Sequence, residues 1–352
     1  MASEKIKIAV FGSFYRGKDK STMRTAGTRR SIWPLINLVL GMAIACTTAQ
    51  AQSGENDDFG DKLMLLGAGP EAGSLGTIGS TLCETLNAAR KSALVRCVLV
   101  QSAGSVFNIH AAANGSLQLG LGQEQIVNQV YGNSAIKGGS GLRTVAILHS
   151  SPISIMVRKA SGITDLSQIR QRVVNIDIKG SGIHFIARAM LQAMNFRESD
   201  FADLTFLPPA TFTQAFCEGK MDVIFSSLAQ PSEQHRKMRA CGGEFLDIPA
   251  DLINKMAAAN VRLRPLVIPA GLYDPAQREV RTAGTRYLLV THRGVDEEAI
   301  SRVATQIARQ NKTLQASQPI FASLVPMTQD DVDQLVVPLH PGAMRAFRGR
   351  AQ

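Results

Sequence analysis

No apolar run in this 352-residue chain reaches the ~18–20 residues that span a bilayer, which excludes a helical transmembrane receptor or channel. The six histidines (His110, His149, His184, His235, His292, His340) are scattered without H-x-x-x-H or H-E-x-x-H spacing. Metal binding therefore has no support, and packing or surface roles suffice for each. No cysteine pair has C-x-x-C spacing, which argues against zinc and thioredoxin-like chemistry. There is no G-x-S-x-G elbow, and nothing in the order of residues assembles a nucleophile with its base. Internal repeats, heptads and low-complexity tracts are missing as well. The one tryptophan, Trp33, lies near the N-terminus. The formal charge of +10 is less telling than it looks: residues 1–51 hold eight of the 38 Lys and Arg but only two of the 28 acids, and the remainder is close to balanced. That balance does not call for nucleic acid or a membrane surface as a partner.

Hydrophobic residues make up 45% and charged residues 19%, enough for a substantial core. The length suggests two domains or one two-lobed domain. Arg29 and Arg30 precede the mostly apolar run 32–45, and Ala49-Gln50-Ala51 follows. A basic flank, a short apolar region and an A-x-A site describe a secretory signal peptide. The expectation is a signal peptide over residues 1–51, cleaved after Ala51, and a polar lead-in over 52–61. Met23 is an alternative start. Thr28-Arg29-Arg30-Ser31-Ile32 weakly resembles a twin-arginine signal. Cys46 is open to lipidation, although Ala43 stands where lipoprotein leaders usually carry leucine.

Cleavage would leave Cys83, Cys97, Cys217 and Cys241. An even count in an exported chain favours disulfides. Three pairings exist; proximity favours Cys83–Cys97 and Cys217–Cys241, each closing a short loop that would contribute ~2–4 kcal/mol.

From residue 62 apolar strand-like runs alternate with amphipathic segments. Leu63–Leu66, Leu94–Val100, Thr144–Leu148, Ile153–Val157, Val173–Ile178, Phe245–Ile248 and Tyr287–Thr291 read as strands. Ile78, Leu82 and Leu86 mark one helix face, and His184–Met194 and Glu297–Gln310 read as further helices. Repeated β-α-β units predict an α/β fold with a parallel sheet between helices. Breaks at Ser150–Pro152 and Thr282–Arg286 divide the chain into lobe 1 (62–150 and 288–352) and lobe 2 (151–287).

Gly67-Ala68-Gly69-Pro70-Glu71-Ala72 follows a strand and formally fits G-x-G-x-x-G/A. The second strand ends in Gln101-Ser102-Ala103-Gly104, without the acid that a dinucleotide ribose requires. No cofactor is expected. Two strand-to-helix turns are more informative: Ser102-Ala103-Gly104-Ser105 and Gly180-Ser181-Gly182. Each sets small residues and unpaired N–H groups at a helix start, where carboxylate or phosphate oxygens bind. Serine as a plain helix cap accounts equally well for one such turn. Two, one in each half of the chain, suit a cleft gripping an acidic ligand from both sides.

Several local patterns together resemble the TAXI-type solute receptors of TRAP transporters. They are the glycine-rich opening (Gly67, Gly69, Gly73, Gly79), Arg96-Cys97 followed by Gly104-Ser105-Val106-Phe107-Asn108, and Val174-Asn175-Ile176 through Gly180-Ser181-Gly182. Phe216-Cys217-Glu218-Gly219-Lys220-Met221-Asp222, Ile268-Pro269-Ala270-Gly271-Leu272-Tyr273 and Pro338-Leu339-His340-Pro341-Gly342-Ala343 complete the set. The likeness spans about residues 62–347. It implies a type II periplasmic-binding-protein fold, two α/β lobes joined by two hinge-crossing strands. It also implies a periplasmic, non-enzymatic receptor for a small carboxylate (glutamate, related amino acids or 2-oxo acids) that serves membrane-embedded permease subunits; a monomer is expected. A sensor of the same fold signalling to a membrane regulator is the alternative. Members with cysteines at these positions pair them locally. The ligand residues implied are Gly69, Leu75, Ser102, Gly104, Ser105, Asn108, Gln123, Gly180, Ser181, Gly182 and Ser226. Two departures stand out: Ser74-Leu75-Gly76 replaces the usual tyrosines, and Asp177-Ile178-Lys179 precedes Gly180 where the family often has Asn-Pro. They remove an aromatic wall and add one charge of each sign.

Overall fold

The computed structural model describes residues 60–349 apart from 72, 259, 260, 262, 322, 323 and 325, all within one compact unit, Asp57–Gln352. The signal peptide and most of the lead-in expected from the sequence lie outside the described residues. No helix among the described residues is long and apolar enough to cross a membrane.

The chain opens with β1 (Lys62–Gly67), α1 (Ser74–Ala88), α2 (Arg90–Ala93), β2 (Val95–Val100), α3 (Ser105–Ala113), β3 (Leu119–Gln123) and α4 (Glu124–Gly132). The long strand β4 (Leu142–Pro152) leads into β5 (Ser154–Arg158). The middle of the chain forms β6 (Val173–Asn175), α5 (Gly182–Ala193), β7 (Asp203–Thr205), α6 (Pro209–Cys217), β8 (Val223–Ser226), α7 (Glu233–Ala240), β9 (Gly243–Leu246), α8 (Ala250–Ala258) and β10 (Arg264–Ile268). A second long strand, β11 (Val280–His292), returns to the first half. There α9 (Glu297–Arg309), α10 (Asn311–Ser317), α11 (Gln329–Asp333) and α12 (Pro341–Arg348) complete the fold.

Two sheets result. In the first, β1 lies parallel to β2 and β3, while β11 runs antiparallel to β3, β4 and β10. In the second, the order is β7-β6-β8-β5-β9, with β6 parallel to β7 and β8 but β5 antiparallel to β8 and β9. The single parallel sheet expected from the β-α-β rhythm is thus corrected to two mixed sheets. The strand that enters each lobe at the crossover, β5 in one and β11 in the other, runs against the rest of its sheet, and direction is not written in a strand's hydrophobic pattern. The predicted break at Ser150–Pro152 is also displaced. Strand β4 continues through Pro152, and the chain changes sheets at Ile153, whose N–H donates to the Ala283 carbonyl at 2.7 Å. Strands β4 and β11, paired from Gly284↔Pro152 to His292↔Leu142, carry the two crossings. The expected lobe borders at 150/151 and 287/288 fall inside these two shared strands.

Both faces of both sheets are covered, because side chains alternate along every strand. On β11, Tyr287 and Leu289 join a core with Met64, Leu82 and Ile300, whereas Leu288 and Val290 pack on Ile109 and Val127. On β8, Val223 and Phe225 face Ile186 and Met190, whereas Ile224 faces Phe212 and Phe216. Helix α5 shows the helical counterpart. Ile183, Ile186, Ala187, Met190 and Leu191 recur at one face and are buried, and the Ser181 hydroxyl accepts from the His184 N–H at 3.0 Å to cap the start.

Both favoured cysteine pairs are joined, Cys83–Cys97 between α1 and β2 and Cys217–Cys241 between the ends of α6 and α7, with Cα separations of 5.0 and 5.4 Å. The run Pro338–Ala343 proves to be the C-terminal clasp. The Thr144 N–H donates to Pro338, and the Thr144 carbonyl receives the His340 N–H, both at 2.9 Å. Gly342 meanwhile lets α12 lie on α9, since a Cβ there would stand 2.1 Å from the Glu297 carbonyl.

Candidate ligand-binding site

The carboxyl ends of β3 and β8 and the starts of α1, α3 and α5 converge on one cavity of about 60 Å³ between the two sheets. That is space for a handful of water-sized groups. Open α/β sheets bind ligands at this end of their strands. The cavity brings together seven of the residues singled out from the sequence: Leu75, Gly104, Ser105, Gln123, Ser181, Gly182 and Ser226. Gly69, Ser102, Asn108 and Gly180 stand one layer behind. Asn108 is fully buried and donates to the carbonyls of Ala68 and Leu121, at 2.7 and 2.8 Å. Ser102 donates to Ala68, contacts the Asn108 side-chain oxygen at 2.7 Å, and accepts from the Gly104 N–H at 2.9 Å. These two residues fix the first turn rather than line the cavity.

The two turns meet each other. The Val106 N–H of α3 donates to the Gly180 carbonyl at 3.1 Å, and Gly104, at φ +117°, lets the Ser181 backbone approach to within 3.4 Å of where a side chain would begin. Ser74 donates to the Ser227 carbonyl at 3.0 Å. The lobes are therefore closed on one another. At the start of a helix the first N–H groups have no intrahelical partner. The His184 N–H is capped by Ser181, and the Val106 N–H is taken by Gly180. The N–H groups of Ser105, Gly182 and Ile183 are left at the cavity wall, where each helix start carries about half a positive charge.

Residues that sequence reasoning passed over complete the wall. Tyr287, on β11, donates to the Ser227 carbonyl at 3.2 Å and accepts from the Gln123 amide nitrogen at 3.0 Å. Its one proton is spent on Ser227, so Gln123 presents its NH2 to Tyr287 and its Oε1 to Gly182. That oxygen is buried and has no hydrogen-bond partner. Asp177 is the only charged residue lining the cavity among the described residues, and its Oδ1 is likewise buried and unpartnered. Burial pushes its carboxyl up to about 6; hydrogen bonds from Ile178 and Ser181 pull the other way. Lys179, two residues on, points elsewhere, its ammonium 4.5 Å from the centre of the Phe206 ring.

The raised Asp177 carboxyl has a consequence for stability. A carboxyl whose folded pKa exceeds its unfolded value adds stability below about 3.8, and that stability is lost as pH rises through about 6. The displacement corresponds to roughly 3 kcal/mol. Because that burial exists only with the lobes closed, closure of the ligand-free protein, relative to Asp177→Asn, should weaken by about this amount between pH 3.5 and 7, seen as an opening of the molecule in small-angle scattering. A difference independent of pH would contradict the burial argument.

Ser226 sits 2.9 Å from the His235 Nε2, a contact no sequence motif announced. It does not make a nucleophile and base. The Tyr273 hydroxyl donates to the Gln230 side-chain oxygen, so the Gln230 NH2 donates to His235 Nδ1 at 3.0 Å. The ring proton then lies on Nε2 and points at Ser226, which is the wrong tautomer for taking the serine proton. Burial also drives His235 down to about 3, keeping it neutral.

Two mixed α/β lobes joined by two crossing strands define the type II periplasmic-binding-protein fold. The chain belongs to the NMT1-like family, whose model matches residues 66–349; this is a family of substrate-binding receptors and not of enzymes. Among solved structures it is similar in fold to MatC from Rhodopseudomonas palustris with bound malate (12% identity, 82% of this chain and 97% of that one, TM-score 0.52). It also matches the periplasmic aliphatic sulphonate binding protein SsuA from Escherichia coli (16% identity, 82% and 88%, TM-score 0.42).

Proposed function

We propose that the protein is the periplasmic receptor of a TAXI-type TRAP transporter. It takes a small organic acid or amino acid into the cleft between its lobes and delivers it to membrane-embedded permease subunits. One observation carries the binding part of this reading: two helix starts with free N–H groups, one from each lobe, border a single buried cavity. The ordered set of motifs from Gly67 to Ala343 supports the transporter class, and MatC, of like fold, holds malate. Ser105, Gly182 and Ile183 would hold the ligand carboxylate through their N–H groups, with Gln123 and Ser226 reading the remainder. Binding would favour the closed form that the permease recognises.

Thermal unfolding against a panel of organic acids and amino acids tests the reading. A true ligand at ~100 times its Kd adds ~2.7 kcal/mol of stability. If no member of a broad panel shifts the transition, the small-acid receptor reading falls.

A further inference from the structure

The two disulfides differ in what surrounds them. Cys83 and Cys97 are 6% and 4% exposed and belong to the core that holds Met64 and Leu82. Cys217 and Cys241 are both exposed. They form part of the wall of an open depression of about 420 Å³, together with Arg158, Lys159, Gly219 and Gly242. Gly242 leaves the bond uncovered on its side, since a Cβ there would meet nothing within 4 Å. Thiol exchange needs a thiolate to reach a sulfur, so access decides which bond is attacked. The local charges oppose one another. Cys217 ends α6 and Cys241 follows the last residue of α7, and the partial negative charge of a helix end disfavours a departing thiolate. Arg158 and Lys159 favour it from the same wall, although Arg158 is shared with Asp222 at 2.7 Å and Lys159 with Glu244 at 3.7 Å. Exposure is therefore what separates the two bonds.

The exposed bond also closes the part of the chain that meets the cleft. Its cysteines are 24 positions apart, and the loop between them carries β8, Ser226, Ser227 and Leu228, all three of which line the ligand cavity. The Ser227 carbonyl accepts from Ser74 at 3.0 Å and from Tyr287 at 3.2 Å. We propose that Cys217–Cys241 is a thiol-exchange site for a small dithiol, and that opening it loosens the loop that forms this side of the cleft. The inference goes beyond the receptor reading and does not depend on which ligand the cleft takes. One thiolate of the dithiol bonds to either cysteine sulfur as the Cys217–Cys241 bond breaks, and the other cysteine leaves as a thiolate that takes a proton from water. The second sulfur of the dithiol, deprotonated, then displaces the first cysteine, which is protonated in turn. Two electrons pass to the protein, and the dithiol departs as a cyclic disulfide. Phe216, Met238 and Phe245 stay packed behind the two helix ends, so the loop loosens without unfolding of the whole.

The test treats the natural, folded protein with dithiothreitol, alkylates samples over time with iodoacetamide and maps the labelled cysteines by mass spectrometry. Cys217 and Cys241 should be labelled on the order of 10-fold sooner than Cys83 and Cys97, or more. Equal rates, or earlier labelling at Cys83 and Cys97, overturn the site. So does a Cys217–Cys241 bond that persists while an unstructured disulfide peptide is fully reduced. Hydrogen exchange reads the loop. In Cys217→Ser combined with Cys241→Ser, amides of residues 223–228 should exchange about 5- to 10-fold faster, with those of β1 and β2 unchanged. Unchanged exchange at 223–228 overturns the link to the cleft, and faster exchange throughout the protein overturns its confinement to the loop. Should the double variant fail to fold, the natural protein after selective reduction and alkylation gives the same comparison.

Discussion

Replacing Gly182 by alanine is expected to weaken ligand binding by roughly 10- to 100-fold, while leaving the unfolding of the ligand-free protein unchanged or slightly improved. Gly182 opens α5 in one lobe, and the Gln123 side chain that rests on it belongs to the other. A Cβ at this position would stand 1.9 Å from Gln123 Oε1, 2.5 Å from its Cδ and 2.9 Å from the Ser105 hydroxyl. Gln123 has little freedom to withdraw, since its amide donates to Tyr287 and the residue is buried. Either that hydrogen bond breaks or the lobes stop short of closure. Overpacking of this kind costs about 1–3 kcal/mol, and 1.4 kcal/mol is tenfold in affinity. Gly182 has an ordinary negative-side backbone, so alanine suits the first helical position and is favoured there by up to ~1 kcal/mol. The penalty falls on the closed form alone. Paired calorimetry and urea unfolding separate the two effects. A variant that binds with natural affinity would show that closure does not need this contact, and one that unfolds earlier would place the clash within a lobe rather than between lobes.

The turn around Gly182 was legible in the sequence because its chemistry is local. A serine cap between two glycines, after a strand and before an amphipathic run, announces a helix start with free N–H groups. The same holds for α1, α9 and the strands β1 and β2, whose periods are written in consecutive residues. What could not be read depends on residues far apart. Strand β10 is half exposed along Arg264–Ile268 and lacks a clear alternation; it is a strand because β11 offers it an edge. Helix α4 opens on Glu124 and Gln125, polar residues that look like a solvent face but are buried, because Arg286 and Thr285 meet them from 160 or more positions away. Tyr287 reads as one apolar residue of a strand, and only the crossing of β11 between lobes brings it to the cavity. Asp177 was visible as an added charge in the second turn. Its orphaned oxygen was not, since burial belongs to the closed cleft and not to the turn. The Ser226–His235 contact joins a strand end to a helix nine residues on, a spacing that no catalytic motif uses.

Glu124→Gln should be the most destabilising conservative change in the first lobe, lowering the unfolding free energy by about 3–5 kcal/mol. Arg286 lies on the crossing strand β11 with its side chain 4% exposed, and Glu124, 12% exposed, takes both its Nε, at 2.8 Å, and its Nη2. Its remaining Nη1 stands 3.5 Å from an Asp331 carboxylate oxygen, too far for a hydrogen bond. The pair thus fastens the hinge to the start of α4, one residue beyond Gln123, and Asp331 adds a weaker tie to α11. The amide of glutamine can keep one hydrogen bond but not the charge, and the guanidinium would be left buried with only the distant Asp331 to answer it. Taking two charges out of water consumes much of their attraction, so the loss comes from stranding one partner rather than from the net worth of the pair. That argument makes a second measurement decisive. Glu124→Gln combined with Arg286→Met, which removes both charges, should recover most of the stability in urea unfolding at a constant m value. If the double variant is no more stable than Glu124→Gln alone, the stranded charge is not the cause, and the hydrogen bonds that shape the hinge carry the stability instead.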